Sequence, residues 1–183
     1  MPDDTHLAEE PLGRRRVFEG RLLRVSDDTV RLPGGAEAHR EVVEHPGAVA
    51  IVPALEDGRI VLVRQWRHAV GRALWELPAG TRDASEDPAG TARRELAEET
   101  GYSASRWRAL GRGPVSPGYS SEEIHFFLAT GLQAGEVSPD PDELLDIAAF
   151  DRHELAALAA RGEVDLKTIA GLALAREAGA TDG

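Results

Sequence analysis

Two apolar runs separated by an Asp-Gly pair constrain the fold of this chain more than any other feature. The first run is GAVAIVPAL, residues 47–55, and the second is RIVLVRQW, residues 59–66. A short, largely apolar run is typical of a buried strand, and Asp57-Gly58 between two such runs is a strong signal for a hairpin turn. The sequence therefore predicts a buried strand, a tight turn and a returning strand.

Other segments with strand or helix patterns surround this pair. Between Arg16 and Glu44 the bursts VFEGRLLRV, TVRL and AHREVVEH predict a small antiparallel ribbon, and the polar residues 1–12 are expected to be loose. Strands are also predicted at ALWELPAG, EIHFFLATGL and IAAFD, and closing helices at RHELAALAARG and LKTIAGLALAREAG. Strands in the middle of the chain, with helices between and after them, indicate an α+β sandwich. We expect two parts, a tail and ribbon over residues 1–45 and the main domain over residues 46–183.

The composition argues against several classes of function. A net charge of −11 disfavours a nucleic acid or an anionic membrane surface as the main partner. The chain has no cysteine, which excludes disulfides, thiolate metal sites and Cys nucleophiles. The first 17 residues lack the apolar core of a secretory signal, and no apolar run approaches the length that spans a membrane. We therefore expect a cytoplasmic protein.

One helix is marked more clearly than any other element. Asp87 is placed to cap its start, Pro88 can be its first residue, and Gly101 supplies the stop. A narrow apolar stripe is expected to pack inward, formed by Ala89, Ala92, Leu96 and Ala97.

The last turns of this predicted helix carry Glu95, Glu98 and Glu99. Their spacing of i, i+3 and i+4 clusters the side chains on one part of the helix surface, where like charges repel. The C-terminal end of a helix is also the end at which carboxylates are least favourable. A divalent cation would reverse the sign of this repulsion, and oxygen ligands favour Mg²⁺, Mn²⁺ or Ca²⁺ over zinc. A solvated acidic face is the alternative for the three glutamates taken alone.

The residues around these glutamates decide between a metal site and a solvated acidic face. From Gly80 to Tyr102 the sequence is GTRDASEDPAGTARRELAEETGY, which resembles the Nudix box GX5EX7REUXEEXGU, where U is a bulky aliphatic residue. Every fixed letter matches at its spacing across 23 positions, and a chance match of this extent is very improbable. Tyr102 stands where the family usually has Ile, Leu or Val, at a position that packs rather than reacts. The resemblance to Nudix hydrolases implies an α/β/α sandwich with a mixed central sheet, preceded here by the antiparallel ribbon.

The resemblance also implies a loop–helix–loop that binds a divalent metal beside a pyrophosphate, with Mg²⁺ as the ion or Mn²⁺ in its place. The implied ligands are Glu95, Glu98, Glu99 and the backbone carbonyl of Ala79. Glu86 and Arg94 would form a structural pair that ties the loop to the helix. The helix end would then tolerate its carboxylates because a cation lies beside them.

A segment after the box resembles the ADP-ribose pyrophosphatase subfamily. In SPGYSSE, residues 116–122, Pro117 lies 15 residues beyond Tyr102, and the subfamily has a proline at about that distance. A Pro-Gly turn exposes backbone N–H groups that could hold a ribose or a phosphate. Gly118 and Glu122 are therefore candidate substrate contacts, and the resemblance places Glu122 near the terminal ribose or the metals. An ordinary surface turn is the alternative.

The resemblance to these enzymes extends through RQWRHAVG and covers roughly residues 17–178. Arg67 matches a phosphate-contacting arginine, and a guanidinium suits bidentate binding of phosphate oxygens. Arg40, in HREVVEH, is the candidate for contact with the adenine or the ribose. Trp66 and Trp75 are expected to pack rather than to stack on a base.

The general base is assigned to an acidic loop. DPDELLDI, residues 140–147, matches the loop that carries a catalytic glutamate in related enzymes, and Glu143 is the predicted base. Asp142 and Asp146 are competitors, Glu98 could activate the water from within the box, and a solvated acidic loop is the alternative.

These features lead to one predicted activity with two alternatives. The chain is expected to hydrolyse ADP-ribose to AMP and ribose 5-phosphate with Mg²⁺. A broader nucleoside diphosphate-sugar hydrolase is one alternative, and a domain that binds ADP-ribose without cleaving it is the other. A short ribbon is marginal alone, and in similar enzymes it crosses to a partner subunit, so a homodimer is expected.

Overall fold

The computed structural model describes residues 4–83, 86–136 and 144–179 of the chain. The described strands are β1 (Glu10–Glu19), β2 (Arg24–Arg31), β3 (Glu37–Glu44), β4 (Ala48–Pro53), β5 (Ile60–Arg67), β6 (Arg72–Glu76), β7 (Ala79–Thr81), β8 (Tyr102–Pro114), β9 (Glu123–Ala134) and β10 (Asp146–Phe150). The described α-helices are α1 (Pro88–Thr100), α2 (Arg152–Ala160) and α3 (Leu166–Glu177), and short 3₁₀ turns lie at Thr5–Leu7 and His68–Val70. The chain divides into two compact units: unit one contains the residues up to Gly47 and Pro114–Glu123, and unit two contains the rest.

Unit one is built on an antiparallel sheet in the order β1-β2-β3. β1 begins at Glu10, inside the segment that was expected to be loose, so that expectation is wrong for its last residues. Arginines of β1 pair across the sheet, Arg14 with Asp28 at 2.6 Å and Arg15 with Asp27 at 2.7 Å. Every residue of β1 is exposed, so backbone hydrogen bonds and these ion pairs are its main attachments within the unit.

Unit two contains two sheets, β10-β5-β6 and β7-β4-β9-β8. β4 runs parallel to β9 and antiparallel to β7, so the larger sheet is mixed. The predicted turn forms, with Gly58 in the left-handed region at φ 83°. β4 and β5 nevertheless enter different sheets, and an isolated bridge between Ala54 and Ile60 links the two strands. The hairpin prediction is therefore right for the turn and wrong for the strand pairing, because both edges of β4 are taken by β7 and β9 and both edges of β5 by β6 and β10.

Helices cover both faces of the four-stranded sheet. One face packs Val49, Ile51, Phe127 and Ala129 against Ala92 and Leu96 of α1, and the other packs Ala48, Ala50, Ile124 and Phe126 with Leu174 of α3. Successive side chains of a strand point to opposite faces, so β4 serves both layers and all of its residues are buried. The unit is an α/β/α sandwich of the predicted class, and the α+β prediction is confirmed.

The bounds of α1 match the sequence prediction, whereas other elements differ from it. Ala97, which was expected to pack inward, is exposed, because the buried stripe of α1 is narrower than predicted. β8 was not predicted, since its sequence SASRWRALGRG has no sustained apolar pattern. Among the described helices, none combines the length and the apolar character needed to cross a membrane.

Candidate functional site

The second half of α1 carries three carboxylates with very different exposure. The helix is fixed at its start by Asp87, whose side chain accepts hydrogen bonds from two backbone N–H groups, and it ends at Gly101 with φ 71°. The side chain of Glu98 is 39% exposed and that of Glu95 is 14% exposed. Glu99 is buried, with 1% of the residue exposed. The helix period therefore presents a row of carboxylates that runs from the solvent into the protein.

Arg94 links this row to the loop before the helix. One terminal nitrogen, Nη1, lies 2.9 Å from Glu95 Oε1 and donates to Glu98 Oε2 at 2.7 Å. The other, Nη2, donates to Glu86 Oε2 at 3.3 Å, so the expected Glu86–Arg94 pair is present. Burial lowers the pKa of the Arg94 guanidinium, but the hydrogen bond to Glu98 and the charge of Glu95 outweigh it. The pKa is raised above its ordinary value, and Arg94 stays a cation that offsets the clustered negative charge.

The segment before the box contacts two of these glutamates. The backbone N–H of Ala79 donates to Glu99 Oε2 at 3.1 Å, which satisfies part of a carboxylate that burial would otherwise penalise. Gly80 lies against Glu95: a β-carbon built on Gly80 would fall 2.0 Å from Glu95 Cδ and Oε1. Only a glycine leaves room for the carboxylate at this position. The structure therefore places Ala79 against Glu99 and Gly80 against Glu95.

The donor set of this region fits a divalent cation with oxygen ligands. Carboxylate oxygens at i, i+3 and i+4 are the ligands that Mg²⁺ and Mn²⁺ prefer, and the space beside Gly80 is filled by Glu95 rather than by a side chain of residue 80. Within the described residues, no three His, Asp or Glu side chains are arranged closely enough to hold a metal as placed. Arg94 holds Glu95 and Glu98 toward itself, so a metal-binding arrangement requires these two side chains to turn from the guanidinium.

Arg67, the candidate phosphate ligand, is held by a buried carboxylate that sequence reasoning missed. Its Nε donates to Glu76 Oε1 at 2.7 Å and its Nη2 donates to Glu76 Oε2 at 2.6 Å. Glu76 is 2% exposed, and Lys167 approaches its Oε2 at 3.4 Å. The hydrogen bonds to Glu76 raise the pKa of Arg67 above its ordinary value against the opposing effect of burial. A glutamate inside the apolar run ALWELPA was the available signal, because a buried carboxylate needs a cationic partner.

The candidates Arg40, Gly118 and Glu122 lie in unit one. Arg40 and Gly118 line a hollow of about 540 Å³ with Asp27, His39, Glu41 and Tyr119. Arg40 donates through Nε to Glu9 Oε2 at 3.1 Å and through Nη1 to the carbonyl of His39 at 3.0 Å. Glu122 lies 3.9 Å from His45 Nδ1.

The turn that contains Gly118 is held against β3 of the same unit. Val43 N–H donates to the carbonyl of Tyr119 at 2.7 Å, and Ser121 N–H donates back to the carbonyl of Val43 at 3.0 Å. The SPGYSSE segment is therefore an ordered edge of the unit-one sheet rather than a freely projecting turn.

The remaining candidates have different outcomes. Glu143 and Asp142 lie outside the described residues, and Asp146 is exposed at the start of β10. Trp75 packs edge-on against Phe150 at 4.8 Å between ring centres, as expected. The packing role expected for Trp66 is wrong, because this side chain is 63% exposed. Its position on β5 places it on the exposed half of the strand, after the four buried residues.

Comparison with known proteins agrees with this geometry. The family model described as NUDIX domain matches residues 44–171. An ADP-ribose pyrophosphatase of Mycobacterium tuberculosis is 48% identical over 125 residues, which are 68% of this chain but only 60% of that protein. An ADP-ribose pyrophosphatase of Bacillus subtilis is 36% identical over 165 residues, 88% of this chain and 89% of that protein. A methanol dehydrogenase activator of Bacillus methanolicus is 39% identical over 141 residues, 76% of each chain.

A solved structure adds support for the fold alone. The crystal structure of an ADP compounds hydrolase superposes with a TM-score of 0.82 over 93% of this chain and 94% of the other, at 24% identity. The family model covers more than half of the chain, and the Bacillus subtilis relative aligns with most of it. The chain belongs to the Nudix family.

Proposed function

We propose that this chain hydrolyses the diphosphate bond of ADP-ribose to AMP and ribose 5-phosphate with a divalent cation. The observation that carries the proposal is the row of box carboxylates on α1, in which buried Glu99 is bonded to the backbone of Ala79. The relatives in Mycobacterium tuberculosis and Bacillus subtilis are named for ADP-ribose, which supports this substrate.

Nudix hydrolases generally use a divalent metal ion, and we propose Mg²⁺, or Mn²⁺ in its place, for this chain. Glu95, Glu98 and Glu99 would supply carboxylate oxygens, and Ala79 its backbone carbonyl. When bound, the cation would neutralise diphosphate charge and lower the pKa of a bound water. Arg94 would keep its bond to Glu86 while releasing the other two carboxylates, because its two terminal nitrogens serve different partners.

Arg67 is the proposed phosphate ligand. Two of its nitrogens, Nε and Nη2, are engaged by Glu76, which fixes the plane of the guanidinium. Nη1 makes no bond in that bidentate pair, and the side chain is 43% exposed. The Arg67 guanidinium is therefore held in one orientation by a buried carboxylate and can receive an anion on its other edge. Because the side chain is already ordered, binding an anion costs less conformational entropy.

The general base is proposed to be Glu143, with Glu98 as the alternative within the box. Glu98 is the most exposed of the three box glutamates, so it could contact a water directly. Asp142 and Asp146 stay as competitors for this role within residues 140–147. Glu143→Gln should lower kcat sharply and leave KM for ADP-ribose nearly unchanged, whereas wild-type kcat would move the role to Glu98 or another acid.

The adenosine end of the substrate is proposed to bind unit one. Arg40 and Gly118 lie on one hollow, and the exposed ring of Tyr119 stands beside them. Glu122 is proposed to lie near the terminal ribose or the metals. Arg40→Ala should raise KM for ADP-ribose more than it lowers kcat, because loss of a contact with the adenine or the ribose weakens substrate binding more than it changes the reaction of the diphosphate.

The activity is tested by phosphorus NMR of ADP-ribose incubated with the protein and Mg²⁺. AMP and ribose 5-phosphate should appear with the wild type and disappear with Glu99→Gln. Glu177→Gln, which removes an exposed carboxylate of α3, is the matched control and should hydrolyse normally. Equal cleavage of ADP-glucose would favour the broader nucleoside diphosphate-sugar hydrolase. Tight binding of ADP-ribose without cleavage would favour a domain that binds ADP-ribose but does not hydrolyse it.

We also propose a homodimer formed through residues 1–45, separate from the main domain over residues 46–183. Leu12, Val17 and Phe18 of β1 are exposed, and a long exposed edge strand with apolar side chains is a surface that another chain can cover. Sedimentation velocity should give a dimer, and Phe18→Asp should weaken it. A monomer at assay concentration would contradict the proposal. The cytoplasm as compartment and the absence of a nucleic-acid partner stay predictions.

A further inference from the structure

The connection that leads from β6 into β7, residues 77–79, is bonded to the first turn of α3. The backbone N–H of Leu77 donates to Thr168 Oγ1 at 2.9 Å, across 91 positions of sequence, and Thr168 is fully buried. The carbonyl of the same Leu77 accepts from Lys167 Nζ at 3.3 Å. Two adjacent side chains of one helix therefore satisfy both polar backbone groups of a single buried residue.

Pro78 and Ala79, the next residues of this connection, are bonded to two other elements, β4 and α1. The carbonyl of Pro78 accepts from Ile51 N–H at 2.9 Å, and the N–H of Ala79 donates to Glu99 Oε2 at 3.1 Å. Pro78 has no N–H of its own, so every polar backbone group from Leu77 N to Ala79 N has a partner. A shift at Leu77 is thus transmitted to the N–H that fixes the Glu99 carboxylate.

Lys167 is bound on three sides. Besides the Leu77 carbonyl, its Nζ lies 3.3 Å from Asp165 Oδ2 and 3.4 Å from Glu76 Oε2, and its side chain is only 12% exposed. It is the single lysine of the chain, and the other 20 basic residues among its 21 Lys and Arg are arginines. An ammonium is a compact group with three donors, which suits three oxygens converging from different directions better than a planar guanidinium does.

Packing reinforces these polar contacts. Leu77 is 1% exposed, and a β-carbon built on Gly171 of α3 would lie 2.4 Å from Leu77 Cδ1. The helix therefore approaches the connection as closely as a glycine permits, which leaves little room for the segment to move toward α3.

We propose that Thr168 and Lys167 are positioning residues for the metal site: they fix the Leu77–Ala79 connection and, through the N–H of Ala79, the carboxylate of Glu99. The role rests on the proposed function, since it assigns Glu99 to the metal. Outer contacts that orient a ligand influence metal affinity although they do not touch the ion. Replacement of the Thr168 hydroxyl by a methyl group leaves the Leu77 N–H buried without its acceptor, and the connection would shift to satisfy it.

The test is Mn²⁺ binding to the protein without substrate, followed by the electron paramagnetic resonance signal of free Mn²⁺. Thr168→Val should weaken Mn²⁺ binding about tenfold, the size typical of lost outer contacts. Thr168→Ser keeps the hydroxyl and should bind within about twofold of the wild type on the same reasoning. Lys167→Met should weaken binding in the same direction as Thr168→Val.

A control separates positioning from loss of stability. Val30→Ala shortens a buried side chain of β2 in unit one, outside the core cluster that contains Leu77, and it should unfold at a lower temperature while binding Mn²⁺ normally. Wild-type affinity in Thr168→Val, equal weakening in Thr168→Ser, or equal weakening in Val30→Ala would each overturn the positioning role.

The same measurements distinguish this inference from the proposed function. A wild-type protein that binds Mn²⁺ but leaves ADP-ribose intact would overturn the proposed activity, while the variant comparison would still decide the role of Thr168. A wild type that does not bind Mn²⁺ would overturn both. Loss of affinity on Thr168→Val with rescue by Thr168→Ser would support the positioning role.

Discussion

Replacement of Gly80 by alanine should impair metal binding without unfolding the protein. The new β-carbon would lie 2.0 Å from Glu95 Cδ and Oε1, whereas ordinary contact begins at 3.4 Å, so the carboxylate must retreat by about 1.4 Å. Coordination distances in metal sites tolerate only about 0.2 Å. Glu95 must turn from Arg94 before it can bind a metal, and a methyl group on residue 80 would occupy space that its carboxylate now fills. We therefore expect the substitution to keep Glu95 out of the coordination geometry.

The expected loss of metal affinity has a lower bound. Displacement of an outer contact costs about 10- to 100-fold in metal affinity, and loss of a direct carboxylate ligand should cost at least the lower figure, about 1.4 kcal/mol.

The stability of the fold should change little. Gly80 is not among the glycines with positive φ, so alanine gains about 0.4–1 kcal/mol of backbone entropy, and the forced rotation of one flexible side chain costs about as much. The melting temperature should then move by less than about 4 °C.

The matched control for this substitution is Gly113→Ala. A β-carbon on Gly113 meets nothing within 4 Å, so this variant changes the backbone without displacing a neighbour. Mn²⁺ binding and thermal unfolding are measured for both variants and the wild type. Tight Mn²⁺ binding by Gly80→Ala would refute the assignment of Glu95, and a large fall in its melting temperature would refute the argument that the clash is confined to one side chain.

Four further outcomes are expected. Leu96→Ala, at a fully buried position of α1, should lower the free energy of unfolding by about 3 kcal/mol in urea titrations. Asp87→Ala removes the cap of α1 and should lower it by about 1 kcal/mol in the same assay. A hydrogen bond from Arg14 holds the pKa of Asp28 below its ordinary value of 3.8, so the contribution of this pair is complete above that pH and is lost as the pH falls through the lowered pKa. The free energy of unfolding lost on Asp28→Asn should therefore shrink as the pH falls below 3.8, and a loss that does not change with pH would contradict this. Protein labelled with ¹⁵N in lysine alone should show one slowly exchanging ammonium signal near neutral pH, because Lys167 is buried among three acceptors; no signal would contradict that arrangement.

The sequence predicted local features well. Asp87 and Gly101 bound α1 as expected because a cap and a left-handed stop act over a few residues. The three box glutamates share one helix side because the spacing i, i+3, i+4 is set by the helix period. β8 was not predicted because its sequence lacks an apolar pattern. Its position in the sheet is set by pairing with β9.

The separation of β4 from β5 shows where local reasoning ends. The turn at Asp57-Gly58 was predicted correctly, since it depends on the conformational freedom of one glycine at positive φ. Which sheet each strand joins depends on β7, β9, β10 and β6, whose approach is decided by the packing of the whole unit. A hairpin signal contains no information about those partners.

The sequence by itself determined the family resemblance, the acidic row on α1 and the ions that its oxygen ligands favour, because these depend on residue identity and on spacing within one helix. Only the tertiary structure decided that Glu76 is buried between Arg67 and Lys167, and that Thr168 bonds Leu77 across 91 positions. The physical reason is that a buried charge or N–H must find a partner in three dimensions, and the folded packing of unit two, not the order of residues along the chain, decides which partner is near.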